Sequence, residues 1–463
     1  MGEDGDLEPL SPTTQYFSTS ALSVCIIVAF EMDRRFQEDS EVIELVDKLL
    51  LPINPRFSSV KVRDVNGLQQ WKKVDVKIED HVISPSFSNP MSIDASQRHI
   101  RDYISNLRMN PFSQSRPLWE VHNIKYPTAD CDGTLVLKLD HSLGDGFSLM
   151  GALFSRLRRA DHPSLPLTFP HSKNKRPPQH SHLFSTTFYT ARDFLSSLIK
   201  TNFVQDEISP IRSATPTSAS QISTFTLPLH KIHKIKTSIG GTVNDVIVGI
   251  ISYGTRLYME KMSSIGGRQH DSKPQQLNVT ALVLLNTRAI KTYQTLTIDE
   301  VTNDPNKNNS GWGNHFGFLQ IPIPSVEREL VSTTPLDLVF KIKEILTTKR
   351  NSLAVYLTGW LLDMLRRIKG PEAAGRYIAK TIRNTSFGIS NLIGPLEKME
   401  IGGHPVNAFY FSVVGTPHSL GFSVVSYMEK LTVAVCTEKK LIDSEMLVSC
   451  LDIAFRQIFE QAT

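Results

Sequence analysis

The sequence predicts an α+β protein in two domains, on three observations. Its 463 residues are too many for one ordinary hydrophobic core. Runs with the two-residue alternation of strands and runs with the 3.6-residue spacing of helices are mixed, without the strict alternation of a parallel-sheet protein. Between Asp161 and Ser220 the composition turns to Pro, Ser, His and basic residues, as in HPSLPLTFPHSKNKRPPQHSH and SPIRSATPTSAS, which marks a linker or crossover loop. The expected division is therefore residues 1–165, a connection over 166–220, and residues 221–463.

Composition narrows the class. Apolar content of 40% is ordinary for a globular protein, and a net charge of +4 is too weak to argue for nucleic acid. No zinc-finger, P-loop or dinucleotide fingerprint occurs. Cys25, Cys131, Cys436 and Cys450 show no paired spacing, which fits free thiols in a reducing compartment. The opening MGEDGDLEPLSP is acidic and unlike a secretory signal, and Asp6 stands where a myristoylation site needs Ser or Thr.

Taken in order, Ala21 to Phe30 is an apolar run of strand length, too short to span a bilayer. In EVIELVDKLLL the residues Val42, Leu45, Val46 and Leu49 share a helical face over Ser40 to Leu51, and Pro52 ends that helix. Short strands are expected at Phe57–Val62 and Trp71–Val76, and a helix at Ser96–Asn106. Thr134–Leu139 reads as a strand and Gly146–Ala160 as a helix. Leu183–Val204 is long enough to suggest a membrane span, but Arg192, Asp193 and Lys200 interrupt it, which favours a helix lying on a surface. Thr242 and Asp245 form a capping pattern, so Asn244 and Asp245 start a helix. Asn278–Arg288 is a strand. Gly311–Pro324 either lines a tunnel or forms a bulged core strand.

In LAVYLTGWLLDMLRRIK one face carries Leu353, Leu357, Trp360, Leu361, Met364 and Ile368, with Arg366, Arg367 and Lys369 at the end. That is a core-packing helix or an interfacial membrane helix. Strands at Phe387–Asn391, Ala408–Val414, Gly421–Tyr427 and Lys430–Thr437 and a closing helix at Asp443–Phe459 complete the chain.

The chemistry centres on LVLKLDHSLGDGFSLM, Leu135 to Met150. The strand delivers His141 into a turn, and an imidazole with a pKa near 6.5 both takes and returns a proton near neutrality, which suits a general base. Asp145 reads as a brace for the turn, with Gly144 and Gly146 permitting backbone angles closed to other residues. Arg288 is the candidate bidentate partner of Asp145, the alternative being a solvated arginine at a strand end. An isolated H-x-x-x-D is more often a loop histidine beside a capping aspartate.

This one is not isolated. DHSLGDG resembles the HHxxxDG motif of CoA-dependent acyltransferases, and SRPLWEVH (Ser115–His122) resembles the PLW motif of the wax ester synthase/diacylglycerol acyltransferase family. EPLSP, NPRFSS, NDVIVGIISYGTRLY, GNHFGF and SNLIGP follow in the order shown by plant-type members. The resemblance implies two chloramphenicol-acetyltransferase-like domains with the active-site tunnel between them, His141 as catalytic residue with Asp145 beside it, acyl-CoA as co-substrate and no separate cofactor or metal. It implies long-chain fatty alcohol or diacylglycerol as acceptor, and work at the cytosolic face of the endoplasmic reticulum membrane or at the cell membrane. The first histidine of the motif is Asp140 here, and strand alternation points it to the opposite face from His141. Asn244, Asn286, Ser390 and Asn391 are polar candidates for stabilising an oxyanion, and no G-x-S-x-G nucleophile turn is present. Two alternatives stand beside this reading: a soluble acyltransferase for small alcohols like those of the BAHD family, whose DFGWG motif is absent, and a non-catalytic lipid-binding homologue.

Overall fold

The computed structural model describes residues 7–64, 68–87, 92–170, 183–217, 219–265, 277–288, 312–324 and 334–463. Residues 293–310, a polar stretch by sequence, lie outside them. Within the first 165 residues the elements are β1 (Leu7–Pro9), α1 (Pro12–Phe17), β2 (Cys25–Met32), α2 (Asp39–Leu45), β3 (Ser59–Arg63), β4 (Gln69–Lys73), β5 (Val82–Ile83), α3 (Ile93–Asn106), β6 (Trp119–Ile124), β7 (Gly133–Asp140), α4 (Gly146–Arg156) and β8 (Arg158–Arg159). The connection carries α5 (Leu183–Asn202). The second half holds β9 (Ser220–Pro228), α6 (Leu229–Ser238), α7 (Val243–Ile265), β10 (Thr280–Asn286), β11 (Phe316–Pro322), α8 (Pro335–Asn351), α9 (Ala354–Lys369), α10 (Pro371–Arg383), β12 (Phe387–Ile393), β13 (Met399–Ile401), β14 (His404–Val414), β15 (Leu420–Tyr427), β16 (Lys430–Glu438) and α11 (Ser444–Ala462).

Two mixed sheets organise these elements. The first has seven strands in the order β5-β6-β7-β2-β14-β13-β8, the second six in the order β11-β10-β12-β15-β16-β9. In β7, Leu135, Leu137 and Leu139 face one core with Phe30, Trp119 and Leu149. Val136 faces another, with Ile100 and Ile104 of α3. The strand is buried on both faces, so its run from Leu135 to Leu139 is apolar except for Lys138, whose buried ammonium donates to Asn110 O at 2.6 Å and to Glu120 Oε2 at 2.8 Å. The second sheet buries its face under α7, α8 and α11.

The division at residue 221 is not a clean cut. β14 pairs antiparallel along the whole of β2, from Val414 opposite Cys25 to Val406 opposite Met32, and β13 pairs with β8. Residues 399–414 thus complete the first sheet, although they follow residues 221–398 of the second domain in the chain. The connection, in turn, is fastened to the second domain: buried Asp206 accepts from Thr280 N at 2.7 Å and from Ser386 Oγ at 2.7 Å. The helix expected to Leu51 keeps α geometry only to Leu45, widens into a π turn over Val46–Leu50 closed by Leu51 N on Val46 O, and ends in a 3-10 turn over Leu51–Ile53 that contains Pro52. α4 ends at Arg156, since Arg158 and Arg159 are drawn out to pair with β13.

Candidate active site

β7 ends at Asp140, and the next residue enters the turn with its N–H still donated to Val24 O at 3.1 Å, as if the ladder with β2 continued. His141 is therefore held at backbone level and is 5% exposed. Its ring is walled by two aromatics: Phe17 of α1 stacks on it at 4.5 Å and Phe316 of β11 meets it edge-on at 5.7 Å. Burial drives the imidazole below its ordinary pKa, with the Asp145 charge working in the opposite direction. The ring is consequently neutral at pH 7, the state a proton acceptor requires.

Asp145 caps α4 by accepting from Ser148 N at 2.9 Å. Arg288, just past β10, grips the same carboxylate with both terminal nitrogens, at 2.8 and 2.9 Å. Both side chains are nearly fully buried, at 8% and 4%. His315 N donates to Asp145 Oδ2 at 2.9 Å. The second domain therefore clasps the turn carried by the first. Trp312 Nε1 donates to Leu143 O at 3.0 Å, and Asn314 Nδ2 to His141 O at 3.0 Å. Gly313 adopts φ of 116°, a region that side chains disfavour. That turn aims its carbonyl at the motif, where it accepts from Arg288 Nη2 at 2.6 Å and Ser148 Oγ at 3.0 Å.

The remaining expected residues fall in different places. Asp140 turns away from the imidazole, accepting from Ser142 N at 2.9 Å and lying 3.8 Å from Lys61 Nζ. Gly144 and Gly146 do not adopt positive φ, which corrects the expectation of unusual backbone angles. What Gly146 supplies is space, because a Cβ there would lie 3.1 Å from Leu392 Cδ1. Ser390 shares the face of Leu392 on β12 by strand alternation and so looks toward the motif, whereas Asn391 takes the other face and is exposed. Asn286 lies beside the brace: its Oδ1 accepts from Arg288 N at 3.0 Å, which leaves the Nδ2 donor uncommitted among the described residues. Asn244 lies in the first turn of α7, and its neighbour Asp245 pairs with Arg350 Nη2 of α8 at 2.9 Å. No hydrogen bond joins any of these four polar candidates to His141. Among the described residues no group of His, Cys, Asp and Glu could hold a metal ion.

Three residues at the centre were not singled out from sequence: Phe17, Asn314 and Phe316. The last two lie in GNHFGF, whose mixture of glycine, amide and aromatics was the signal. Phe17 carried none, being an ordinary apolar position in α1. A cavity of about 290 Å³, lined in part by Glu31, Arg101, Ser223, Tyr410 and Glu445, opens at the start of β7. It is some seven strand residues from His141, roughly 23 Å, and so is not part of this site.

A buried neutral histidine, offered at a strand end where two such domains meet, defines the class of chloramphenicol-acetyltransferase-like acyltransferases. The fold is shared by a solved wax ester synthase/diacylglycerol acyltransferase from Marinobacter aquaeolei VT8, at 18% identity and TM-score 0.60 over 98% of this chain and 99% of that one. It is also shared by the first condensation domain of the calcium-dependent antibiotic synthetase, at 12% identity and TM-score 0.57 over 99% and 97%. The wax ester synthase/diacylglycerol acyltransferase catalytic domain matches residues 19–247, and the WS/DGAT C-terminal domain matches residues 312–459. The chain belongs to that family. Similar relatives include wax ester synthase/diacylglycerol acyltransferase 4 of Arabidopsis thaliana, 27% identical over 95% of this chain and 87% of its own length. Number 5 of the same plant is 29% identical over 94% and 90%.

Proposed function

We propose that this chain moves a fatty acyl group from acyl-CoA to a long-chain fatty alcohol, forming a wax ester, or to diacylglycerol, forming triacylglycerol, at the cytosolic face of the endoplasmic reticulum membrane or at the cell membrane. The observation that carries the chemistry is His141, neutral by burial and fixed in place by the other domain. The imidazole takes the proton of the acceptor hydroxyl as its oxygen attacks the thioester carbonyl. The carbon–sulfur bond then breaks, and the same proton passes to the departing CoA thiolate. Proton transfer of this kind supplies about 100- to 10,000-fold, the rest coming from alignment and from donors to the oxyanion. Ser390 supports the last role best of the four polar candidates, by its face. The acceptor choice draws its support from the relatives, which are wax ester synthase/diacylglycerol acyltransferases.

The test is a chromatographic assay of labelled palmitoyl-CoA with hexadecanol and, separately, diacylglycerol, comparing wild type with His141→Ala. Ester formed by wild type alone establishes the reaction and its acceptor. Absence of product with both, from a folded and membrane-reconstituted sample, rejects this reading.

A further inference from the structure

Helix α9 has two apolar faces, and the described residues cover only one. Its inner residues Leu362 and Leu365 pack with Phe316 and Phe318 onto the cluster of Tyr16, Phe17 and Ile378. Phe316 and Phe17 are the two walls of the His141 ring, so an unbroken series of apolar side chains runs from α9 to the imidazole. The outer face presents Leu353, Tyr356, Trp360, Met364 and Ile368 to solvent, with Trp360 65% and Ile368 71% exposed. The neighbouring α5, which is joined to the start of α9 through Thr190 Oγ1 and Leu353 N at 3.1 Å, adds Leu195 and Ile199 at helical spacing, with exposed Phe203 just past its end. Soluble monomers rarely leave this much contiguous large apolar surface open.

Charge identifies the occupant. The α9 outer face ends in exposed Arg367 and Lys369, and the following α10 exposes Arg376, Lys380 and Arg383. Tryptophan and tyrosine beside exposed lysines and arginines are the composition of a helix lying at the headgroup level of an anionic bilayer, and the fixed positive rim would repel a second copy of itself. No helix among the described residues is long and apolar enough to cross a membrane. We propose that the outer faces of α5 and α9 rest on an anionic membrane, and that the lipid acceptor passes from that membrane beneath α9 to His141. The entry route rests on the transferase reading above; the docking surface does not.

Tryptophan fluorescence tests the surface directly. The chain has four tryptophans, and Trp71, Trp119 and Trp312 are at most 4% exposed, so a spectral change on vesicle addition reports Trp360. With vesicles of phosphatidylcholine and phosphatidylserine its emission shifts to the blue and is quenched by lipids brominated on the acyl chain. The double variant Ile368→Glu/Lys369→Glu, at exposed positions, weakens vesicle pelleting at least about tenfold. It also lowers ester formation from hexadecanol held in the vesicles, while esterification of hexanol in solution stays at the wild-type rate. An unshifted and unquenched Trp360 overturns the docking surface, as does a dimer that this double variant dissolves without any change in pelleting. Equal loss with both alcohols overturns the entry route. Absence of ester from wild type with either alcohol rejects the transferase reading instead, and the fluorescence result still decides the surface.

Discussion

Each domain starts one of its central helices with an aspartate held by an arginine, and the two pairs differ in reach. Asp245 completes the capping box of α7, accepting from Thr242 N at 2.8 Å while Thr242 Oγ1 accepts from Asp245 N at 3.2 Å, and its partner Arg350 arrives from α8 of the same domain with one contact at 2.9 Å. Asp145 is itself the N-cap of α4, and its partner Arg288 comes from the other domain with two contacts and brings Gly313 and His315 with it. Arg350 is partly open to solvent, with 27% of its side chain exposed, against 4% for Arg288. One pair fastens a helix within a domain. The other fastens two domains at the atoms around His141, so its loss reaches the chemistry.

Arg288→Ala should therefore have the largest effect. It leaves the buried Asp145 carboxylate without its cation, and breaking such a pair costs about 3–5 kcal/mol. Ester formation should fall to near the level of His141→Ala, because the turn loses its hold on the 312–315 segment. A melting temperature and activity both close to wild type would erase the contrast between the two pairs.

Asp145→Asn is milder in shape and should still lower activity, though less than His141→Ala does. The amide keeps an oxygen for Ser148 N, but its NH₂ faces donors from Arg288 Nη1 and His315 N. A lowered melt accompanying the lost activity marks a brace. Complete inactivity with an unchanged melt would assign Asp145 a direct part in the reaction.

Asp245→Asn completes the comparison. It weakens a cap and a charge-assisted hydrogen bond, a loss of about 1–2 kcal/mol. Thermal denaturation should show it, while the rate per folded molecule at 25 °C stays near wild type. A fall in rate to match Asp145→Asn would place the start of α7 in the active site.

The contrast also explains what could be read from the sequence. Capping is local: Asp145 and Ser148, like Thr242 and Asp245, lie three residues apart, and so both helix starts were legible. The strand ending at His141 was legible for the same reason, from an apolar run and a turn. Arg288 could be named as a candidate because a buried carboxylate demands a donor, but its 143-residue separation from Asp145 left a solvated arginine equally open. Asn286 could be named only as a polar candidate, because an asparagine at a strand end looks the same in sequence whether it meets substrate or holds an arginine. That β14 belongs to the first sheet was not legible at all, since pairing with β2 links residues some 380 apart and each strand's own pattern fits either sheet. Phe17 is a wall of the site only through a tertiary contact. The exposed face of α9 is the converse case, because its periodicity was clear and only the fold showed which apolar face is left uncovered.

The smallest effect is in the pH dependence, and it separates the two aspartates most sharply. Burial lowers the His141 pKa, so the base stays unprotonated below the ordinary histidine range and the acid limb of kcat/KM lies on the acid side of about 6.5. The sign for stability follows from the same shift. Below that pH the unfolded chain binds a proton that the folded ring refuses, and stability falls as pH drops. Burial pushes His81 and His315 in the same direction and holds His418 at about 3, so they add to this acid lability. At His141 the Asp145 charge partly offsets burial. Neutralising it in Asp145→Asn removes that opposition, and the acid limb should move to still lower pH in whatever activity remains. Asp245 is not among the groups that shift His141, so Asp245→Asn should leave the limb where it is. Profiles of kcat/KM from pH 5 to 8 for the three proteins decide the matter. An acid limb that moves in Asp245→Asn, or one that moves upward in Asp145→Asn, would show that the two capping pairs do not divide the work as their geometry indicates.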